Sequence, residues 1–285
     1  MDYIMECRDV TYRYPLTDVP AIQELNIQIE RGKFYGVIGE NGAGKTTFCA
    51  LLRGFIPDFY KGELQGEVLV EGKKITEWGG ELSAKIGYIF QNPFTQISGV
   101  KDTVYEEVAY GLENFGVPVE EIERRVIAVM KMTDIEALAL KNPFDLSGGQ
   151  MQRAALASVI VLEPDILIID EPTSQLDPEG TESIFAIIKA LKDKQKTIIL
   201  VEHKIDLIAE YVDEVIVFKN GSVIASGDKR TILSDLSFME QGIALPQVAI
   251  LGSRLRELGL PMETIPVTEK QAIDTIARAL KERDQ

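Results

Sequence analysis

A glycine-rich octapeptide at residues 39–46, GENGAGKT, leaves this chain few choices of fold. An apolar run at residues 34–38 precedes it and an amphipathic segment at residues 46–52 follows it, which predicts a buried strand, a tight turn and a helix. The glycines let the turn point successive backbone N–H groups inward, and the positive end of the helix adds to the same spot. The spacing G-x-x-x-x-G-K-[ST] therefore predicts a phosphate-binding loop, and its strand and helix context disfavours a plain glycine-rich turn.

Two side chains of this loop carry the chemistry of a nucleotide site. Lys45 can reach the β- and γ-phosphates of a nucleoside triphosphate, and the Thr46 hydroxyl can take a Mg²⁺ position. Lys45 is therefore a candidate catalytic residue, and Thr46 is a candidate metal ligand. The candidate nucleotide-binding residues of this segment are Gly39, Asn41, Gly42, Ala43, Gly44, Lys45, Thr46 and Thr47.

Chain length, charge and hydropathy limit the domain organisation and the partners that this protein can have. The 285 residues suffice for one large α/β domain plus an appendage. The formal net charge of -15 disfavours a nucleic-acid partner, because phosphate backbones require a basic face. No segment approaches the ~20 apolar residues of a membrane-spanning helix, so we expect any role at a membrane to depend on other subunits. Cys7 and Cys49 are expected to be buried free thiols.

The first half of the chain shows strand patterns followed by a helical region. Alternating apolar residues predict antiparallel strands at residues 3–12 and 25–30. We also expect residues 67–70 and 86–90 to form a second strand pair around a turn at residues 72–74. Residues 91–143 show apolar residues at helix spacing, which indicates a helical insertion into the α/β core.

The second half returns to strands. Uninterrupted apolar runs at residues 166–169 and 197–201 predict central parallel strands, joined by a crossover helix at residues 178–192. A hairpin is expected at residues 213–225. Beyond it, short helical pieces end in an amphipathic helix at residues 268–283, whose default interpretation is a packing or dimer-contact element.

Two adjacent carboxylates, Asp170 and Glu171, follow the apolar run at residues 166–169. Strand carboxyl ends in a parallel sheet line the crevice where ligands bind. Asp170 is therefore a candidate Mg²⁺ ligand, and Glu171 is a candidate catalytic base that polarises a water for attack on the γ-phosphate. The alternative is that the two residues merely begin a turn.

A second anion-binding motif is the sequence Leu-Ser-Gly-Gly-Gln at residues 146–150, which precedes a predicted helix. A hydroxyl and open backbone N–H groups at a helix start can bind phosphate oxygens. A helix cap alone would explain Ser-Gly-Gly but not the full pentapeptide. The candidate ligand-binding residues here are Ser147, Gly148, Gly149 and Gln150.

Together these motifs make residues 1–230 resemble the ATPase subunits of the ATP-binding cassette (ABC) family. The resemblance implies an α/β fold: a P-loop NTPase (RecA-like) core, an antiparallel β subdomain, an α-helical subdomain at about residues 91–165 and an appended helical subdomain at residues 231–285. It assigns Gln91 to Mg²⁺ and nucleotide contact, Asp177 to the loop at residues 174–177, and His203 to a catalytic γ-phosphate contact. Tyr14 falls where the family stacks adenine, while sheet packing remains an equal alternative.

Within the family, residues 90–96, 104–111 and 201–204 look like the ATPases of energy-coupling-factor (ECF) importers for vitamins or transition-metal ions. The resemblance implies hydrolysis of ATP with Mg²⁺ by a head-to-tail dimer of identical or homologous subunits. Its expected partners are a transmembrane coupling subunit and a substrate-binding membrane subunit, at the cytoplasmic face of the cell membrane, with no nucleic acid. Alternatives are another ABC transporter type, or a non-transport ABC ATPase that acts on nucleic acid or ribosomes.

Two residues depart from the wider family pattern: Lys204 stands where an aspartate commonly follows the histidine, and Gln175 replaces a small residue. Neither change removes a group that handles phosphate, so an active ATPase is still expected. A further hypothesis concerns Glu106 and Glu107, which we interpret as an acidic groove for an arginine-bearing helix of the membrane partner. A solvated helix face is the alternative.

Overall fold

The computed structural model describes residues 2–283 and contains two β-sheets, a helical insertion and a helical C-terminal part. The strands are β1 (Tyr3–Arg13), β2 (Ile22–Glu30), β3 (Phe34–Gly39), β4 (Glu63–Val70), β5 (Lys73–Lys74), β6 (Ile86–Ile89), β7 (Ile166–Asp170), β8 (Thr197–Val201), β9 (Glu214–Lys219) and β10 (Ser222–Asp228). The helices are α1 (Lys45–Leu52), α2 (Leu82–Lys85), α3 (Val104–Asn114), α4 (Val119–Met132), α5 (Gly148–Ile160), α6 (Pro178–Asp193), α7 (Ile205–Tyr211), α8 (Lys229–Leu233), α9 (Ser237–Glu240), α10 (Gln247–Glu257) and α11 (Glu269–Arg283).

The larger sheet has six strands in the order β10-β9-β3-β8-β7-β6. Strands β9, β3, β8, β7 and β6 run parallel, and β10 joins the edge as the antiparallel arm of a hairpin. The predicted central strands are confirmed, because β7 and β8 are parallel neighbours connected by α6. Parallel strands end at one common edge, which brings the segments after β3, β6, β7 and β8 together.

The smaller sheet is antiparallel, with the order β2-β1-β4-β5. It confirms the first predicted strand pair, whereas the second pair is wrong. Strand β4 pairs with β1 and β5, while β6 belongs to the larger sheet and pairs with β7. Both segments were correctly predicted to be strands, but nothing local to them specified which distant strand each would join.

Two hydrophobic clusters cover the two faces of the larger sheet. In β7, Ile166 and Ile168 point into the cluster shared with α1 and the antiparallel sheet. Leu167 and Ile169 point into the other cluster, which holds the helical insertion. Successive residues of a strand face opposite sides, so an unbroken apolar run is what a strand covered on both faces requires.

The helical insertion and the C-terminal part share the second cluster. Helices α3, α4 and α5 lie between β6 and β7 in the chain and contribute Val108, Val126 and Leu156 to it. Phe238 and Leu245 from the C-terminal part belong to the same cluster, whereas Leu260, Met262 and Ala279 form a small separate one. Within residues 2–283, no helix combines the length and the apolar character needed to cross a bilayer.

Candidate functional site

The loop between β3 and α1 adopts a backbone that only glycine accommodates at its ends. Gly39 and Gly44 have φ angles of +150° and +106°. A Cβ at Gly39 would collide with the Phe218 carbonyl oxygen, and one at Gly44 would lie 2.7 Å from the carbonyl oxygen of Ala21. The Gly221 N–H donates to the Ala43 carbonyl at 2.9 Å, so the β9–β10 hairpin also holds the loop.

Lys45 lies inside the curl of this loop. Its Nζ donates to the carbonyl oxygens of Gly39 and Glu40, both at 2.9 Å. Burial lowers the pKa of Lys45, while the carboxylates of Glu171 and Asp170 oppose that shift. An ammonium held by two neutral carbonyls can exchange them for phosphate oxygens, which are stronger acceptors. Ala43 and Thr47 are buried beside it, and Asn41, Gly42 and Thr46 are exposed.

Asp170, at the end of β7, fits a divalent cation. The side chain is 4% exposed, its Oδ2 accepts a hydrogen bond from the Tyr88 hydroxyl at 3.1 Å, and its Oδ1 has no partner of full hydrogen-bond geometry among residues 2–283. Burial raises the pKa of Asp170, opposed by the Tyr88 hydroxyl and the nearby Thr46 hydroxyl. A buried carboxylate with an orphaned oxygen beside a hydroxyl suits a hard cation such as Mg²⁺.

Glu171 is held between side chains from two other strand ends. Gln91 Nε2 donates to Glu171 Oε2 at 2.7 Å, and His203 Nε2 lies 2.8 Å from Glu171 Oε1. Glu171 itself has a φ of +48°, and its N–H donates to the Val201 carbonyl of β8 at 2.9 Å. The structure therefore brings Gln91, Glu171 and His203 together at the carboxyl edge of the sheet.

Sequence reasoning missed two supporting residues of this edge. Tyr88 donates to Asp170 from β6, and Glu202, which is 4% exposed, accepts hydrogen bonds from the His203 N–H at 3.1 Å and from Thr173 Oγ1 at 3.0 Å. A carboxylate between a buried strand and the histidine was a usable signal for Glu202. Tyr88 gave none, because its partner is distant in the sequence.

The pentapeptide at residues 146–150 forms a capped helix start on an open surface. Ser147 caps α5 in a reciprocal capping box with Gln150, whose N–H lies 3.4 Å from Ser147 Oγ. A Cβ placed on Gly148 would have no other atom within 4 Å, and one placed on Gly149 would meet only a Leu176 methyl, at 3.9 Å. The backbone at these two glycines is therefore open on the side where a side chain would lie.

Asp177 lies opposite this helix start and caps α6, where its Oδ1 accepts from the Gly180 N–H at 2.8 Å. Asp177, Ser147, Gly149 and Gln150 line one cavity of about 300 Å³. Gly39, Asn41 and His203 line another, of about 380 Å³, and among the described residues the two linings have no member in common. The chain thus separates its two phosphate-binding motifs.

Tyr14 lies beside the first motif. Its hydroxyl is 3.2 Å from Thr47 Oγ1 on α1, and its ring contacts the Tyr12 ring edge-on at 4.8 Å between centroids. The side chain is half-buried, so one ring has both a packing partner and access to solvent near the loop. Both interpretations of Tyr14 agree with this placement.

Glu106 and Glu107 of α3 are both occupied by contacts within the subunit. Glu107 is 4% exposed and accepts hydrogen bonds from the Ser98 N–H and hydroxyl, both at 2.7 Å. Glu106 closes a capping box with Thr103 at the start of α3. The expectation of an acidic groove is therefore wrong for Glu107, because helix periodicity turns this carboxylate towards the Ser98 turn.

Comparisons with known proteins agree with this geometry. The ABC transporter family matches residues 22–174. A Pyrococcus abyssi protein is 38% identical over 281 residues, which cover 98% of this chain and 99% of the relative. The energy-coupling factor transporter ATP-binding protein EcfA2 of Clostridium perfringens is 37% identical over 268 residues, covering 92% of each chain.

Solved structures give the same result. CbiO1 of Clostridium perfringens, described as part of the ABC transporter complex CbiONQ, superposes with a TM-score of 0.74 at 32% identity, covering 90% of this chain and 99% of that one. The ATP-binding cassette MJ0796, in a dimeric post-hydrolysis state with ADP and Pi, superposes with a TM-score of 0.68 at 29% identity, covering 79% and 99%. The chain therefore belongs to the ABC transporter family, as a nucleotide-binding ATPase subunit similar to those of energy-coupling-factor transporters.

Proposed function

We propose that this ATPase powers an ECF importer for a vitamin or a transition-metal ion. It would lie at the cytoplasmic face of the cell membrane, bound to a transmembrane coupling subunit and a substrate-binding membrane subunit. Support comes from the relatives, which include proteins named as energy-coupling factor ATP-binding subunits and one described as part of a CbiONQ complex.

The working unit of the proposal is a head-to-tail dimer with an identical or homologous subunit. Each ATP would lie between the loop at residues 39–46 of one subunit and the α5 start of the other. The separation of these two motifs within the chain supports this arrangement, as does the dimeric form of the related cassette MJ0796. A site divided between two chains positions and stabilises the reacting phosphate only after closure.

Within each site, the residues have separable tasks. Lys45 would exchange the carbonyls of Gly39 and Glu40 for the β- and γ-phosphates. Bound Mg²⁺ would neutralise charge on these phosphates, and Thr46, Gln91 and Asp170 are the residues that would hold it. Tyr14 would receive the adenine, and Ser147, Gly148, Gly149, Gln150 and Asp177 would complete the site of the neighbouring subunit.

The observation that carries the mechanism is the position of Glu171 between Gln91 and His203. With both oxygens engaged by these side chains, neither is free to contact an attacking water. A γ-phosphate that recruits His203 would free Oε1, which could then take a proton from the water that attacks the γ-phosphorus. As the water attacks, the bond between the γ-phosphorus and the bridging β-phosphate oxygen would break, which gives ADP and inorganic phosphate. Repulsion between these two anions would then open the dimer.

The test is the Glu171→Gln variant, which keeps the shape of the side chain and removes its basicity. We expect ATP binding to persist and phosphate release to fall by about a hundredfold or more, with ATP-bound dimers accumulating in size-exclusion chromatography. Glu163→Gln is a matched control, because Glu163 also has a positive φ, of +55°, but is exposed on the surface. Hydrolysis at the wild-type rate by Glu171→Gln would remove Glu171 from the role of base.

The transport role needs a second measurement. Affinity purification of the wild-type chain from its own membranes should recover membrane subunits at a fixed ratio. Recovery of nucleic acid or ribosomes in their place would contradict the proposal.

A further inference from the structure

Lys204, one of the two residues that depart from the family pattern, contacts the segment around Asp177. Its Nζ donates to Thr181 Oγ1 in the first turn of α6 at 2.9 Å and to the Thr173 carbonyl at 3.4 Å. The lysine is exposed, but both partners are buried, Thr173 at 1% and Thr181 at 6% exposure. Lys204 therefore reaches from the histidine segment into the packed base of α6.

Three consecutive residues attach this segment to the loop that follows β7. His203 contacts Glu171, Glu202 accepts from the Thr173 hydroxyl at 3.0 Å, and Lys204 binds the Thr173 carbonyl. The Thr173 carbonyl also accepts the Leu176 N–H at 3.2 Å, which forms the turn leading to Asp177. The Thr181 N–H in turn donates to the Asp177 carbonyl at 2.9 Å. The contacts thus form one continuous path from His203 to Asp177.

The two ends of this path lie at different nucleotide sites. His203 borders the cavity beside the phosphate loop, and Asp177 borders the cavity beside Ser147. A shift of His203 would also displace its neighbour Lys204. The two hydrogen bonds of Lys204 would then transmit this displacement to Thr173 and to the first turn of α6. Coupling between sites needs such a connected element with more than one arrangement.

We propose that Lys204 is a positioning residue that makes movement of the histidine segment and movement of residues 173–181 a single event. This inference rests on the proposed function, in which His203 contacts the γ-phosphate and Asp177 faces the neighbouring subunit's site. Lys204 touches neither ATP nor the attacking water. It affects turnover because it transmits the position of His203 at one nucleotide site to Asp177, which lies on the surface that completes the second nucleotide site.

The test removes the hydrogen bond between Lys204 and Thr181 by changing either its donor or its acceptor in the assembled ATPase. Lys204→Met keeps the aliphatic stem and loses the donor, and Thr181→Val keeps the volume and loses the acceptor. Each variant should lower kcat for Mg·ATP by roughly tenfold and leave KM within about twofold, because the phosphate loop is untouched. The double variant should show no further loss, since both changes break the same contact.

Lys192→Met is the matched control. Lys192 lies at the other end of α6 and, like Lys204, joins two acceptors: the Tyr211 carbonyl at 3.1 Å and, in an ion pair, Asp213 Oδ1 at 2.6 Å. It should leave kcat unchanged. An equal loss of kcat in Lys192→Met, additive losses in the double variant, or a normal kcat in Lys204→Met would each overturn the inference. Wild-type hydrolysis that survives Lys45→Ala would instead contradict the proposed function.

Discussion

Asp170 illustrates how one residue can weaken a fold for the sake of a ligand. Its carboxylate is 4% exposed and accepts a hydrogen bond from the Tyr88 hydroxyl, and burial raises its pKa. A raised pKa in the folded state means that this group's contribution to stability is present at low pH and is lost as the pH rises through that pKa. Ionising the Asp170 carboxyl therefore costs the ligand-free protein stability.

Asp170→Asn should accordingly raise the melting temperature of the ligand-free protein near neutral pH, with the difference shrinking as the pH falls. The same variant should lose the extra stabilisation that Mg·ATP gives the wild type. Thermal melts at several pH values, with and without Mg·ATP, measure both effects.

Asp165→Asn supplies a control of opposite sign at the other end of β7. A hydrogen bond from Lys85, at 2.6 Å in the ion pair, lowers the pKa of Asp165. Its contribution is therefore present at neutral pH and lost on acidification, although partial exposure keeps it small. If both variants respond to pH in the same direction, the account of Asp170 is wrong.

Residue chemistry also decided what the sequence could predict about the site. Glu171 and His203 are recognisable because each sits at the end of a buried strand, where reactive groups collect. The hydrogen bond between His203 and Glu171 was not predictable, because it depends on the left-handed backbone of Glu171. Whether these residues perform their expected roles stays a prediction.

At the scale of elements, the starts of helices α1 and α5 carry the two candidate phosphate-binding motifs. Both were predictable, since glycines and a capping serine announce a helix start locally. The partner of β6 was not, because an apolar run marks a buried strand but does not specify which distant segment pairs with it. The proposed division of each nucleotide site between two chains likewise does not follow from any local pattern.

A mixed dimer tests that division. One copy with Lys45→Ala paired with another carrying Ser147→Arg should keep one intact site, because both lesions fall in the same composite pocket. One copy with both changes paired with a wild-type copy should lose both sites. Phosphate release from purified mixed dimers compares the two pairings; the reverse ranking would place each lysine and serine in the same pocket of one chain.

At the scale of the whole molecule, the C-terminal part is stabilised by the same core as the ATPase portion. Leu245, at 3% exposure, packs in the cluster that also holds the helical insertion. Composition shifts along the chain indicated an appended unit, but they carry no information on which apolar side chains join which cluster.

Leu245→Ala should therefore lower the free energy of unfolding of the whole chain by about 2–5 kcal/mol, as buried leucines do when a cavity is left. Leu258→Ala, at a leucine that is 72% exposed, should change it by less than about 0.5 kcal/mol. Urea unfolding followed by both circular dichroism and tryptophan fluorescence checks this. A separate early transition in Leu245→Ala would show that the C-terminal part unfolds independently.

The close packing of Gly44 against Ala21 joins the phosphate loop to the start of β2 in the antiparallel sheet, and the hydrogen bond from Gly221 to Ala43 joins the loop to the β9–β10 hairpin. Tyr14 directly follows β1 of the antiparallel sheet. If Tyr14 receives the adenine as proposed, these contacts fix the distance between the binding positions of the base and of the inner phosphates. ADP and ATP would therefore bind in the same way through their base and their inner phosphates. Only the γ-phosphate would then distinguish ATP from ADP, because it alone would extend to Gln91 and His203.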